Sequence, residues 1–334
     1  MHPSSTPPDP LNTSAGLRPG PRTGSPLRAP RLRPGDRVRI VSPSSRPSRR
    51  DVERGAAVLA SWGLRVEVGD HVFDQWGPMA GRDWDRLADL NAAFADPGVR
   101  VVFATRGGAG AYRIADGLDT DAVRRDPKPL VGFSDVTHLH LALWRECRLA
   151  TVHGPFLTHG DDVLDSGTVQ ALRHALTETE PITLHADPNE VTEAVTVDGT
   201  ATGVLIGGLL TALSTEAGAG LPSLDGAILF LEHPLSGLRN VDRALTQLRR
   251  SGVLNGLRGV ALGQFFGFEG DVTASQDGGW SIADVLIEHF GGLGIPVLGG
   301  LPVGHRNRPA TLPLGAEAVL DGTAGTLTVG SAVT

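Results

Sequence analysis

"VRVVFAT" (residues 99–105) is a continuous run, apolar apart from Arg100 and the closing Thr105, that leads directly into the glycine-rich "RGGAG" (106–110). A strand without polar alternation is covered on both faces, the situation of a parallel sheet flanked by helices. The neighbouring segments fit that setting. Downstream lie a short helix, "AYRIADGLD", the strand "PLVGF" (129–133) and the helix "VTHLHLALWREC" (136–147). Upstream, "DWDRLADLNAAFAD" (83–96) has helical periodicity, with Asp83 placed to cap it. Before it come the strand "LRVEVG", the helix "DVERGAAVLASWG" with Gly63 as its stop, and the strand "GDRVRIVSPSS" (35–45). Alternating β and α elements joined by right-handed crossovers predict an α/β fold with a mostly parallel sheet.

The polar stretch 177–189 reads as a linker between an N-terminal domain (34–176) and a C-terminal domain (190–334). In the second domain "AVTVDGTATGVLIGG" alternates like strands, with Asp198-Gly199 as a hairpin turn. The apolar strand "AILFLE" (227–232), the helix "VDRALTQLRRSG", the strand "GVALGQF" and the helix "SIADVLIEHFG" follow. The end, "ATLPLGAEAVLDGTAGTLTVG", reads as short antiparallel strands, which makes this domain β-rich α+β. Residues 1–33 are rich in Pro, Ser, Arg and Gly, a composition that predicts a disordered tail.

The 334 residues carry a formal net charge of -7 without long single-sign blocks, which gives no footprint for nucleic acid. A single cysteine, Cys147, excludes a disulfide framework within the chain and a Cys-based zinc site. No apolar run approaches the ~18 residues that span a bilayer, and no signal peptide is evident at the N-terminus, so the expected location is cytoplasmic, without a membrane partner.

Three polar groups fall at the ends of predicted strands, where α/β folds build their sites. Ser134 follows "PLVGF" where a helix begins, so it suits either an N-cap or a nucleophile beside unpaired helical N–H groups. Thr137 stands where a capping box would want Glu or Gln. "TRGGAGAYR" (105–113) lets backbone approach a ligand closely through Gly107, Gly108 and Gly110. Its spacing matches neither GxGxxG nor a P-loop, and a turn needing positive φ is the plain alternative. If the turn lines a site, its N–H groups suit an oxyanion and Arg106 a carboxylate. Glu232 ends an apolar strand, where a carboxylate needs a partner; alternation turns His233 to the other face. His138 and His140 diverge by about 200° on a helix and cannot chelate together. His305, in the Gly-rich "GLPVGHRNRP", is either a reactive base or a surface loop histidine. A Ser, Glu and His in this order would make a coherent hydrolase.

The motifs "GRDWDRLADLNAAFAD", "ATRGGAGAYRIADGLD", "KPLVGFSDVTHLHLAL", "VHGP", "GAILFLE", "VDRALTQLRRSGVL" and "LPVGHRNRPATLPLG" together resemble the LD-carboxypeptidase family of serine peptidases, which includes the microcin C immunity peptidases. The resemblance runs from Gly35 to the C-terminus. It implies a Rossmann-like N-terminal domain and a β-rich C-terminal domain with the active site between them. It also implies a Ser134–Glu232–His305 triad, an oxyanion hole from the backbone of Gly108 and Asp135, and Arg106, Gly107 and Ala109 along the substrate wall. Family members need no metal or cofactor and are commonly dimers. Three positions depart from the family pattern: Ala109 replaces an aromatic, Leu209 an Asn, and His233 an Asp. The expected substrate is a small peptide, most simply the murein tetrapeptide, cut at the L,D-bond to its terminal D-Ala. A peptidyl- or aminoacyl-nucleotide of the microcin C type, and a non-catalytic peptide-binding homologue, are the alternatives. The interval from Ser134 to Glu232 resembles the shorter, carboxypeptidase type.

Overall fold

The computed structural model describes residues 24–159, 164–234, 237–267 and 279–334. The first half runs β1 (Arg37–Val41), α1 (Arg49–Ser61), β2 (Arg65–Val68), α2 (Asp83–Ala95), β3 (Val99–Ala104), α3 (Ala111–Ile114), α4 (Thr120–Arg125), β4 (Leu130–Gly132), α5 (Thr137–Cys147), β5 (Thr151–His153) and α6 (Ser166–Thr177). The second half runs β6 (Ile182–His185), β7 (Thr200–Leu209), α7 (Leu210–Glu216), β8 (Ala227–His233), α8 (Leu238–Arg250), β9 (Gly259–Phe265), α9 (Ile282–Phe290), β10 (Val297–Leu298), β11 (Leu312–Leu314), β12 (Glu317–Asp321) and β13 (Thr326–Val329). None of these helices is long and apolar enough to cross a membrane.

The fold is α/β with a mostly parallel first sheet, ordered β11-β5-β4-β3-β1-β2. The central strand β3 shows why its sequence lacks alternation. Val102 and Ala104 pack with Leu90, Phe94 and Leu139 on one face, and Val101 and Phe103 with Val52 and Leu59 on the other. The second sheet, ordered β10-β9-β8-β7-β12-β13-β6, is parallel from β7 to β10 and antiparallel beyond. Its Leu229, Leu231 and Val260 meet α8 and α9, while Ile228 and Phe230 face Leu312 and Val303. β11 crosses over to pair antiparallel with β5, so a C-terminal segment completes the first sheet.

Several local expectations are corrected. Residues 24–33 are not a free tail: Leu27 N–H donates to the Arg148 carbonyl (2.8 Å), and Ala29 and Leu32 are buried. Three apolar side chains in a Pro- and Arg-rich stretch suffice to dock it. Residues 1–23 lie outside the described residues. Asp83 does not cap α2; the N-cap is Arg82, and Asp83 in the first turn binds Arg86 and Arg113 instead. No hairpin forms at Asp198-Gly199, because Val197 bridges to Val297 and Gly199 accepts from Gly322 N–H (2.9 Å). The polar stretch 177–189 contains edge strand β6, paired to β13.

Candidate active site

Strand β4 ends in Gly132 and the chain turns sharply. Phe133 is extended and Ser134 adopts φ 60°, the left-handed region that costs a β-carbon residue about 1–2 kcal/mol. Residues Ser134–Val136 form a 3-10 turn before α5 begins. Neither that turn nor α5 receives a side-chain cap, so the N-cap alternative for Ser134 fails. A strained turn at a strand end projects a half-buried serine outward from the sheet.

The glycine turn after β3 lies directly against it. A methyl on Gly107 would stand 2.7 Å from Ser134 Cβ and 2.8 Å from Oγ, and 3.2 Å from Asp135 N. Gly108 has φ 106°, and a methyl there would run into Ser45 Oγ. That hydroxyl accepts from Ala109 N–H (3.2 Å), and Ser45 N–H donates to the Gly107 carbonyl (3.2 Å). Arg106 is exposed and reaches back to the Arg46 carbonyl at 3.4 Å.

Asp135 joins these loops. Its buried Oδ2 accepts from Ser44 Oγ (2.7 Å) and from Ala111 N–H (2.8 Å), tying the end of β1 and the start of α3 to the serine turn. Burial raises the Asp135 carboxyl above its ordinary value, and the two hydrogen bonds oppose that rise. Sequence reasoning missed Ser44 and Ser45, whose "SPSS" context reads as a plain turn.

The second sheet brings the other two groups. Alternation along β8 turns Glu232 to the face of Ile228 and Phe230, toward β11 and Val303. Glu232 is fully buried, and its Oε2 lies 2.7 Å from His305 Nδ1. The His305 loop is fastened on both sides. Gln264 N–H donates to the Val303 carbonyl (2.8 Å), and Arg306 N–H donates to Gln264 Oε1 (2.9 Å). The His305 ring then rests against Phe133, the residue before Ser134, with ring centres 4.8 Å apart. The structure thus pairs His305 with Glu232 and lays the His305 ring against Phe133, the immediate chain neighbour of Ser134.

Three further histidines line the protein beneath. His153, at the end of β5, is buried against Phe133 and Phe230, and both burial and the neighbouring His140 and His305 hold its pKa well below 6.5. Burial brings His140 to about 4 despite its bond to the Gly132 carbonyl (2.9 Å). His233 is likewise lowered to about 4 by burial and by His305. His138 pairs with Glu216 (2.6 Å), so neither histidine of "THLHL" is placed to hold a metal with the other. Among the described residues His71 and Asp74, between β2 and α2, and Asp85, in the first turn of α2, bring ligand atoms within 4.8 Å of one another, and His71 already bonds Asp74 (2.8 Å).

Known proteins share this chain organisation. The sequence profile of the LD-carboxypeptidase N-terminal domain matches residues 38–154, and that of the C-terminal domain residues 202–320. A Streptomyces coelicolor protein provisionally named a carboxypeptidase is 38% identical over 311 residues, 91% of this chain and 96% of its own. The murein tetrapeptide carboxypeptidase of Pseudomonas aeruginosa is 31% identical, covering 86% of this chain and 93% of its own. The crystal structure of muramoyltetrapeptide carboxypeptidase from Oxalobacter formigenes superposes with a TM-score of 0.78 at 29% identity, over 89% of this chain and 100% of that one.

Proposed function

The chain belongs to the LD-carboxypeptidase family and is a serine carboxypeptidase, and on that footing we infer that it releases the terminal D-Ala from murein tetrapeptide by cutting the L,D-bond. Ser134 is the nucleophile, His305 the proton carrier and Glu232 the carboxylate that orients it. The 2.7 Å contact between His305 Nδ1 and the buried Glu232 carries this reading. With Nδ1 engaged, Nε2 is left as the nitrogen that takes the serine proton.

Ser134 Oγ attacks the carbonyl carbon while its proton passes to His305. The carbonyl electron pair moves onto the oxygen, which the N–H groups of Gly108 and Asp135 receive; that of Ala109 is already held by Ser45. The C–N bond then breaks as His305 returns the proton to the D-Ala amine, leaving an acyl ester on Ser134. Water attacks that ester and gives a proton to His305, and the C–Oγ bond breaks as His305 passes that proton to Oγ, which restores the serine and releases the shortened peptide.

The test is D-Ala release from murein tetrapeptide by the purified chain and by its Ser134→Ala variant. Release by the parent alone supports the reading. Hydrolysis of aminoacyl-sulfamoyl adenosines with no action on the tetrapeptide would move the chain to the nucleotide-antibiotic branch, and full activity of Ser134→Ala would overturn the nucleophile.

A further inference from the structure

Beside the glycine turn stands a ridge of aromatic and cationic side chains that the proposed chemistry does not use. Trp76 and Trp84 are 40% and 45% exposed, although each presents a large apolar ring to solvent. Exposed aromatics gathered on one face of a protein mark a contact surface more often than scattered ones do. Arg82 lies between them, with its guanidinium carbon 5.8 Å from the Trp76 ring centre and 5.1 Å from that of Trp84. Arg113 also approaches Trp76, at 5.7 Å, and is itself anchored to Asp83 (2.8 Å). The rings are thereby held by cations at the surface rather than folded into the core. Among the described residues Arg82 has no carboxylate partner, so its donors remain available.

The ridge is continuous with the site. Trp76 pairs with Met79 through two backbone bonds (3.0 and 3.1 Å), Met79 bridges to Ser45, and Ser45 bonds Gly107. That is three backbone steps of roughly 5 Å each from the glycine turn to Trp76. An extended peptide with three residues ahead of its scissile bond reaches about 10 Å. The peptide alone thus stops about 5 Å short of Trp76, and the group attached to its N-terminus is the part that spans the remainder and meets the ridge.

We propose that the Trp76–Arg82–Trp84 ridge is the subsite for the saccharide end of a sugar-linked peptide. A pyranose ring offers an apolar C–H face, which suits the electron-rich face of an indole, and edge hydroxyls and acyl oxygens, which suit a guanidinium between two rings. A purely apolar partner would leave Arg82 desolvated without an acceptor, which disfavours a protein face of that kind. The assignment rests on the reading of the chain as a murein tetrapeptide carboxypeptidase and names the part of the substrate that this reading leaves unplaced.

The experiment compares kcat/KM on free tetrapeptide with kcat/KM on N-acetylmuramoyl-tetrapeptide, for the full chain and for Trp76→Ala, Trp84→Ala and Arg82→Ala. The expected result is a parent that favours the sugar-bearing substrate, with that preference reduced about tenfold in each Trp variant and less in Arg82→Ala. The ratio is insensitive to partial loss of folded protein, which affects both substrates alike. An unchanged ratio in both Trp variants overturns the subsite. A parent that cleaves neither substrate overturns the function instead. The subsite is then read by titrating N-acetylmuramoyl-tetrapeptide while following indole fluorescence: a change in the parent that Trp76→Ala and Trp84→Ala both diminish supports it, and no change in the parent overturns it.

Discussion

His305 Nδ1 and Glu232 Oε2 meet at 2.7 Å although 73 residues separate them in sequence. The carboxylate is fully buried at the end of β8, and the imidazole sits on a loop braced by Gln264. Replacing Glu232 by Gln keeps the shape and removes the charge. The expected effect is a fall in kcat on the order of 10⁴ with the fold retained, the cost of disabling an orienting carboxylate. Steady-state kinetics with circular dichroism checks both parts, and a loss below tenfold would rule out the orienting role.

Ser134 pays for its position with φ 60°. Glycine takes that conformation freely, which relieves about 1–2 kcal/mol, while its greater freedom in the unfolded chain returns roughly 0.5–1 kcal/mol. Ser134→Gly is therefore expected to be inactive and at least as stable as the parent, by up to about 1.5 kcal/mol. Urea unfolding measures it, and a clear drop in stability would contradict a strained turn.

Gly107 leaves no room for a side chain, since a methyl would stand 2.7 Å from Ser134 Cβ. Gly107→Ala must displace either the glycine turn or the serine. The expected loss in kcat is about 10²–10³, the size seen when one oxyanion donor is misplaced. Activity within threefold of the parent would show that this turn and the nucleophile do not act together.

Stability should also fall with acid before the surface carboxylates titrate. His140 and His233 are lowered to about 4 and His153 well below 6.5, so all three stay neutral in the fold. Above about pH 6.5 both folded and unfolded chains are neutral at these sites, and the contribution is complete. Between 6.5 and 4 the unfolded chain takes up protons that the folded chain refuses, withdrawing about 1.4 kcal/mol per pH unit per histidine. Asp135 and Asp89, raised by burial, act in the opposite sense and soften the lower part of this slope. Denaturant unfolding at pH 7, 6 and 5 tests the sign. Equal stability at all three would mean that the buried histidines are hydrated.

Much of this arrangement was legible in the sequence for identifiable reasons. An apolar run without alternation announces a doubly covered strand, and β3 is one. A carboxylate closing such a run needs a partner, which located Glu232. The left-handed turn at Ser134 was not legible, because serine carries no signal for positive φ. Ser44 and Ser45 look like ordinary turn residues until the glycine loop is folded onto them. Asp83 resembles a cap in sequence, yet the buried Arg86 and the neighbouring Arg113 compete for it more strongly than the helix N–H groups do. A three-residue strand such as Leu312–Leu314 bears no mark of which sheet it will join.

That last strand has a consequence for biosynthesis. β5 is the edge of the first sheet until β11 arrives, and β11 is translated some 160 residues after it. The last residues also close on the N-terminal segment, where Thr334 N–H donates to the Ala29 carbonyl (2.8 Å). A nascent chain that already contains Ser134 thus has neither His305, the proton carrier proposed above, nor the strand that covers β5. A chain stalled or clipped before residue 312 is left with an open, adhesive sheet edge for the cell's quality control to recognise.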